Sequence, residues 1–310
     1  MSKVKVSRYF TIPIKLLVIL VCIWYLGRNV AKIDYTIFRL RLILPFFVFT
    51  LSYFLTTLLM SKNWHLILNM LDNTKRGFPD IASIYFRTAI AKYIPSNMFH
   101  YAGRHFLGKQ VNFSHHTIMS SNLLEALFAI VSSAIIVYFS LKTGILRLPV
   151  ELQSHRLKFE YLSLTSLAIS ALLPFLYVRI KTKKNLLVSN LLVIKRSFYI
   201  VSNYVLFFIS AGLIFFGVFY VLNLTESSLS SIIFYISIYT CSWVFGFITP
   251  GAPGGIGIRE SIMVMLLSDS IGAGYALTGS LLFRVITISG EFIGYFLAET
   301  KIFKDPVKTS

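Results

Sequence analysis

Long apolar runs separated by short basic stretches make up most of the chain. Residues 10–27, 42–60, 117–141, 159–178, 197–222 and 272–298 each form such a run, and a membrane-crossing helix needs about 20 mostly apolar residues. Two further hydrophobic segments are broken in the middle. Residues 80–99 contain Arg87 and Lys92 and are interrupted at Tyr93-Ile-Pro-Ser-Asn97. Residues 229–267 are interrupted between Thr249 and Ile258, where two prolines and four glycines fall; no helix survives that density of breakers. Non-helical backbone at membrane depth is tolerated only where protein, water or ligand meets its polar groups. The pattern therefore predicts an all-α polytopic membrane protein of about eight membrane helices, including two Pro/Gly-broken re-entrant hairpins. Each half holds one broken hairpin, followed by a span carrying a glutamate, as an inverted repeat with a midplane site would. The internal likeness is short: Ile-Pro-Ser…Ala-Gly-Arg104 against Ile-Thr-Pro-Gly…Ile-Arg259.

Composition sharpens this picture. Hydrophobic residues make up 56% of the chain and charged residues 14%, and the mean hydropathy is +0.73. Apolar spans use nearly all the length, which reads as one integral membrane domain over residues 1–310, with tails at 1–9 and 299–310 and no separate soluble catalytic domain. The net charge of +18 would suggest nucleic acid in a soluble protein. Here the basic residues lie in short loops, the positive-inside signature, so no nucleic-acid partner is expected. Lys62, Lys75 and Arg76 mark one cytoplasmic loop, and residues 179–196, with Lys181, Lys183, Lys184 and Lys195, mark another. Both termini are expected in the cytoplasm and the protein in the inner or plasma membrane. The loop with Arg28, Lys32, Arg39 and Arg41 fits this topology least well. Cys22 and Cys241 lie in hydrophobic runs and form neither a disulfide framework nor a zinc pattern. The basic N-terminus precedes an apolar run without a small-residue cleavage site, and reads as a retained first helix.

Candidate chemistry centres on the second break. A new helix begins after Gly257 with Arg259 and Glu260 in its first turn. Free N–H groups, the positive end of the helix dipole and a guanidinium would converge there, an arrangement suited to a phosphate. Gly254, Gly255 and Gly257 would let the backbone approach a ligand or let helices pack closely. The run lacks the Gly-Lys-Ser/Thr ending of a Walker loop. Arg284 and Glu291 stand seven residues apart on one helix face. A charge at that depth costs at least about 2.5 kcal/mol on insertion scales, so each needs a partner on another helix; Glu125, Glu260 and Arg259 are the candidates. Arg104 reads as a headgroup contact or a snorkelling arginine, and Glu125, inside its span, needs a partner. Gly279, Ser280, Ser289, Gly290 and Gly294 suit tight helix packing. His100, His105, His115 and His116 include no His-Glu-x-x-His, so neither a metal nor another cofactor is expected.

Lys92-Tyr-Ile-Pro-Ser-Asn-Met-Phe-His-Tyr-Ala-Gly-Arg104 and Thr249-Pro-Gly-Ala-Pro-Gly-Gly-Ile-Gly-Ile-Arg-Glu260 resemble two signatures of the lysylphosphatidylglycerol synthase transmembrane family, with Ser96 where glycine is expected. Glu125 and Arg284-Val-Ile-Thr-Ile-Ser-Gly-Glu291 sit where that family carries its intramembrane charges. The resemblance spans residues 42–298 and implies a flippase-like domain. The aminoacyl-transferase domain that accompanies it in the multiple peptide resistance factor has no counterpart among these residues. Stand-alone members resemble components of envelope-glycan or lipid-linked saccharide pathways.

The expectation is a non-enzymatic membrane protein that binds and translocates an anionic phospholipid or a polyprenyl-phosphate-linked glycan. Arg259, Arg284 and Arg104 would neutralise the phosphate, while Glu125, Glu260 and Glu291 would hold those arginines or carry a coupling proton. One alternative is an integral-membrane transferase using a lipid-linked donor, which calls for an acidic pair on a sizeable outer loop; the five aspartates offer none. Another is a scaffold for an envelope-glycan enzyme.

Overall fold

The computed structural model describes residues 42–72, 76–94, 99–148, parts of 153–168, 186–249 and 253–300, with 186–193 described by backbone alone. Its α-helices, in chain order, are α1 Ile43–Leu71, α2 Phe78–Ala89, α3 Phe99–Gln110, α4 His115–Lys142, α5 Leu186–Val221, α6 Leu229–Ile248, α7 Ile258–Ile271 and α8 Ala273–Glu299. Short 3-10 turns follow α2 at Ile90–Tyr93 and precede α7 at Pro253–Gly255. No strand occurs among the described residues. Helices α1, α4, α6 and α8, and residues Ile194–Val221 of α5, are long and apolar enough to cross a membrane. The expected first span at 10–27, most of the one at 159–178, and the tails at 1–9 and 301–310 lie outside the described residues.

Local chemistry sets the helix ends. Ser114 caps α4, its side chain accepting from Thr117 N at 3.0 Å, and Ser228 caps α6 by accepting from Ser231 N at 3.1 Å. Pro79 occupies the first turn of α2, where its missing N–H leaves no bond unmade. Gly272, at φ +83°, separates α7 from α8, a conformation that disfavours any residue with a Cβ.

Two loop assignments are corrected, and one further helix extends past a sequence motif. Helix α1 does not stop at Met60 but runs through Lys62 to Leu71. The polar residues of this last stretch find partners inside the protein: Asn203 Nδ2 donates to Asn63 Oδ1 at 3.0 Å, and Trp64 Nε1 donates to Ser121 Oγ at 3.1 Å. Lys62 rests its ammonium 5.1 Å from the Phe78 ring centroid. The stretch after Arg104 continues as α3 to Gln110, because Gly108 seats that helix against Ile118 of α4. The basic loop at 179–196 ends inside α5, which begins at Leu186 and keeps Lys195 and Arg196 exposed.

Packing follows the small residues. A Cβ on Gly290 of α8 would lie 3.0 Å from Thr50 O and 3.2 Å from Phe54 N of α1, and one on Gly294 would lie 2.6 Å from the Phe86 ring of α2. Gly212 of α5 sits as close to the backbone of Ile236 in α6. The opposite face of α1, with Leu44, Phe47, Leu51 and Leu55, is exposed and wholly apolar, as a lipid-facing stripe is. The two broken segments form helix–turn–helix hairpins, α2 with α3 and α6 with α7, each packing arm against arm. Their 3-10 turns touch: a Cβ on Gly254 would meet the Tyr93 ring at 2.7 Å.

Candidate functional site

Where the hairpins meet, Lys92, Arg104, Glu125, Arg259, Glu260, Arg284 and Glu291 are gathered, and all but Arg259 form ion pairs among the described residues. Arg104 of α3 and Glu125 of α4 form a buried ion pair. The Arg104 guanidinium lies 4.3 Å from the Tyr85 ring centroid, 4.8 Å from that of Trp64 and 5.6 Å from that of Tyr101. Aromatic faces offer this cation some of the stabilisation it loses on leaving water. At 2% exposure, Arg104 is not a snorkelling arginine.

Arg284 and Glu291 each pair across helices, Arg284 with the expected Glu260 and Glu291 with Lys92, which is not among the expected candidates. Arg284 Nε lies 3.4 Å from Glu260 Oε1, and its terminal Nη2 donates to Gly254 O at 2.7 Å. Glu260 in turn accepts from Gly257 N at 2.6 Å, so its carboxylate closes the first turn of α7. One of the backbone donors expected to await a ligand is thereby engaged within the chain. Glu291 accepts from Lys92 Nζ at 2.5 Å and from the Tyr93 hydroxyl at 2.9 Å. The turn of one hairpin thus holds the carboxylate of α8, and the turn of the other holds its arginine seven residues earlier.

Arg259 differs from the rest. No carboxylate pairs with it among the described residues, and its Nε is buried without a hydrogen-bond partner. Its guanidinium lies 5.7 Å from the Trp243 ring centroid. Two glycines make room for its stem: a Cβ on Gly255 would sit 2.7 Å from Arg259 Nε, and one on Gly246 would collide with its Cγ. Gly254 and Gly255 both adopt positive φ and are buried, whereas Gly257, also at positive φ, has open space where a Cβ would point.

These groups surround a cavity of about 80 Å³, well above the ~10–15 Å³ needed for one water. Lys92, Arg104 and Arg259 line it together with Glu125 and Glu291, and Tyr53, Tyr85, Tyr204 and Trp243 supply much of the remaining wall. Glu260 and Arg284 stand behind Arg259, around a smaller cavity that Arg259 also lines. The structure therefore brings Arg104, Glu125, Arg259 and Glu291 to one space, with Glu260, Arg284, Gly254 and Gly255 supporting its wall.

Sequence reasoning missed Lys92, Tyr93 and the aromatic wall as parts of this site. Lys92 had a signal: it is the one Lys or Arg between Arg87 and Arg104, immediately before a helix break. The tyrosines and Trp243 had none, because an apolar chain rich in aromatics gives no reason to separate wall residues from lipid-facing ones.

The sequence model of the family described as Lysylphosphatidylglycerol synthase TM region matches residues 12–290. No curated protein matches the chain at a significant level.

Proposed function

The chain belongs to the lysylphosphatidylglycerol synthase TM-region family, and from that premise we propose that it binds an anionic lipid headgroup between its two broken hairpins and carries it across the membrane. The substrate is an anionic phospholipid or a polyprenyl-phosphate-linked glycan. The observation that carries this reading is Arg259: a half-buried guanidinium on the wall of a cavity, without a carboxylate partner among the described residues. Leaving such a cation unpaired away from water is costly, and a phosphate oxygen would complete it with charge-assisted hydrogen bonds.

The surroundings suit a lipid. Phe247 lines the cavity and stacks on Trp243 with ring centroids 5.0 Å apart. Beside it, at the end of α6, Phe245 and Ile248 are 43% and 60% exposed, so an acyl or prenyl chain leaving the cavity would run over apolar surface. Lys92, exposed on about a quarter of its side chain, is the second cation within reach of the headgroup. Arg104 and Arg284, already held by Glu125 and Glu260, shape the wall rather than supply the first contact. Movement would come from the hairpins changing their mutual packing.

Translocation of a fluorescent short-chain phosphatidylglycerol or a polyprenyl-phosphate sugar, measured in reconstituted vesicles, tests this reading. Arg259→Ala removes a charge-assisted contact of about 1.5–3 kcal/mol and is expected to lower transport by roughly tenfold to a hundredfold, while Arg259→Lys keeps part of it. Full transport by a well-folded Arg259→Ala or Arg259→Ala/Arg284→Ala protein overturns the reading.

A further inference from the structure

The charge count around the cavity narrows the ligand beyond "anionic", on the premise that the cavity is the headgroup site. Of the five charged side chains on the wall, three are cations and two are carboxylates. Two of the cations are matched within the protein, Lys92 by Glu291 and Arg104 by Glu125. The second, smaller cavity behind Arg259 adds Glu260 and Arg284, and those two match each other. In the sequence, residues 95–98 and 250–252 are Pro, Ser, Asn, Met, Gly and Ala, none of them ionisable. Among the described residues one positive charge, that of Arg259, is left over.

A desolvated site binds best the ligand that brings the opposite of its residual charge, since each unmatched charge away from water is expensive. We infer that the cavity selects a phosphodiester with a single negative charge, and discriminates against a diphosphate, which brings at least one charge too many, and against an aminoacylated headgroup, which brings a cation.

The unmade hydrogen bonds agree. Arg259 Nε, Arg104 Nε and the Tyr204 hydroxyl are buried without partners on residues that line the cavity. Both guanidinium nitrogens can only donate, and the hydroxyl can donate, so these unpartnered groups call for acceptors. A phosphodiester offers two unesterified oxygens that only accept. An ammonium group, which only donates, would leave both guanidinium nitrogens unpaired. The cavity, at about 80 Å³ on the scale where one water needs ~10–15 Å³, has room for a phosphate group and the first atoms of its glycerol or sugar. Two sources share this chemistry, a glycerophospholipid such as phosphatidylglycerol and a polyprenyl monophosphate esterified to a sugar.

The test is a competition series on the full-length protein in detergent, read by native mass spectrometry. The probes are phosphatidylglycerol, a polyprenyl-phosphate sugar, a polyprenyl diphosphate, lysyl-phosphatidylglycerol and phosphatidylcholine. The expected result is that at least one of the two phosphodiester monoanions binds about tenfold or more tighter than the other three probes, and which one does so identifies the source. Arg259→Gln, which leaves no buried charge without its partner, is expected to abolish that preference. Glu291→Gln adds one net positive charge to the cavity and is expected to move the ratio of diphosphate to monoanion upward by about tenfold. Tighter binding of the diphosphate or of the lysyl lipid to wild type overturns the single-charge inference while leaving the headgroup site standing. An unchanged preference in well-folded Arg259→Gln also overturns it. Binding of no probe above phosphatidylcholine overturns both the inference and the proposed function.

Discussion

At the scale of single residues, the interior charges differ in what holds them, and this decides what their removal should do. Arg104 and Glu125 are both buried, at 2% and 5% exposure, and paired directly. Breaking such a pair from one side strands a charge and costs about 3–5 kcal/mol, whereas replacing both members with apolar residues of similar size is often close to neutral. Glu125→Ala should therefore lower the unfolding midpoint in detergent strongly, and Arg104→Met/Glu125→Leu should recover most of the loss. Equal destabilisation by the single and double substitutions would show that the pair does more than balance charge. Arg259 is the opposite case, since its removal strands nothing among the described residues. The sequence made the presence of these charges legible, because a lone Glu or Arg within an apolar run has to face protein. It left the pairings open. Arg284 and Glu291 share a helix face, yet their partners Glu260 and Lys92 come from two different hairpins. Only the tertiary fold sets which turn reaches which carboxylate.

At the scale of elements, glycines make room for the side chains of the site. Gly246 of α6 and Gly255 of the following turn leave a passage for the Arg259 side chain, and Gly290 and Gly294 hold α8 against α1 and α2. Gly246→Ala separates these roles. Alanine is the better helix former by roughly 1 kcal/mol, so α6 should lose nothing in intrinsic stability, but the new Cβ collides with the Arg259 stem and must displace the guanidinium. The expected outcome is a near-normal melting temperature with lipid retention reduced toward that of Arg259→Ala. Wild-type retention in Gly246→Ala would contradict the placement of Arg259. Both broken hairpins could be read from Pro and Gly in otherwise apolar sequence. The end of α1 could not, because Lys62, Asn63 and His65 look like a loop until α4 and α5 are seen to bury the asparagine and its neighbour Trp64.

At the scale of the molecule, an integral membrane protein of this family places its two helix breaks tip to tip, with Tyr93 of one turn against Gly254 of the other. That the two breaks touch is a matter of tertiary packing, which periodicity does not encode. The central claim is that the space beside this junction holds a lipid phosphate at Arg259. Native mass spectrometry of gently purified wild type beside Arg259→Ala tests it most directly. A phospholipid or polyprenyl-phosphate species retained by wild type and absent from an equally folded Arg259→Ala protein is the predicted result. The same lipids in both, or none in either, would contradict it.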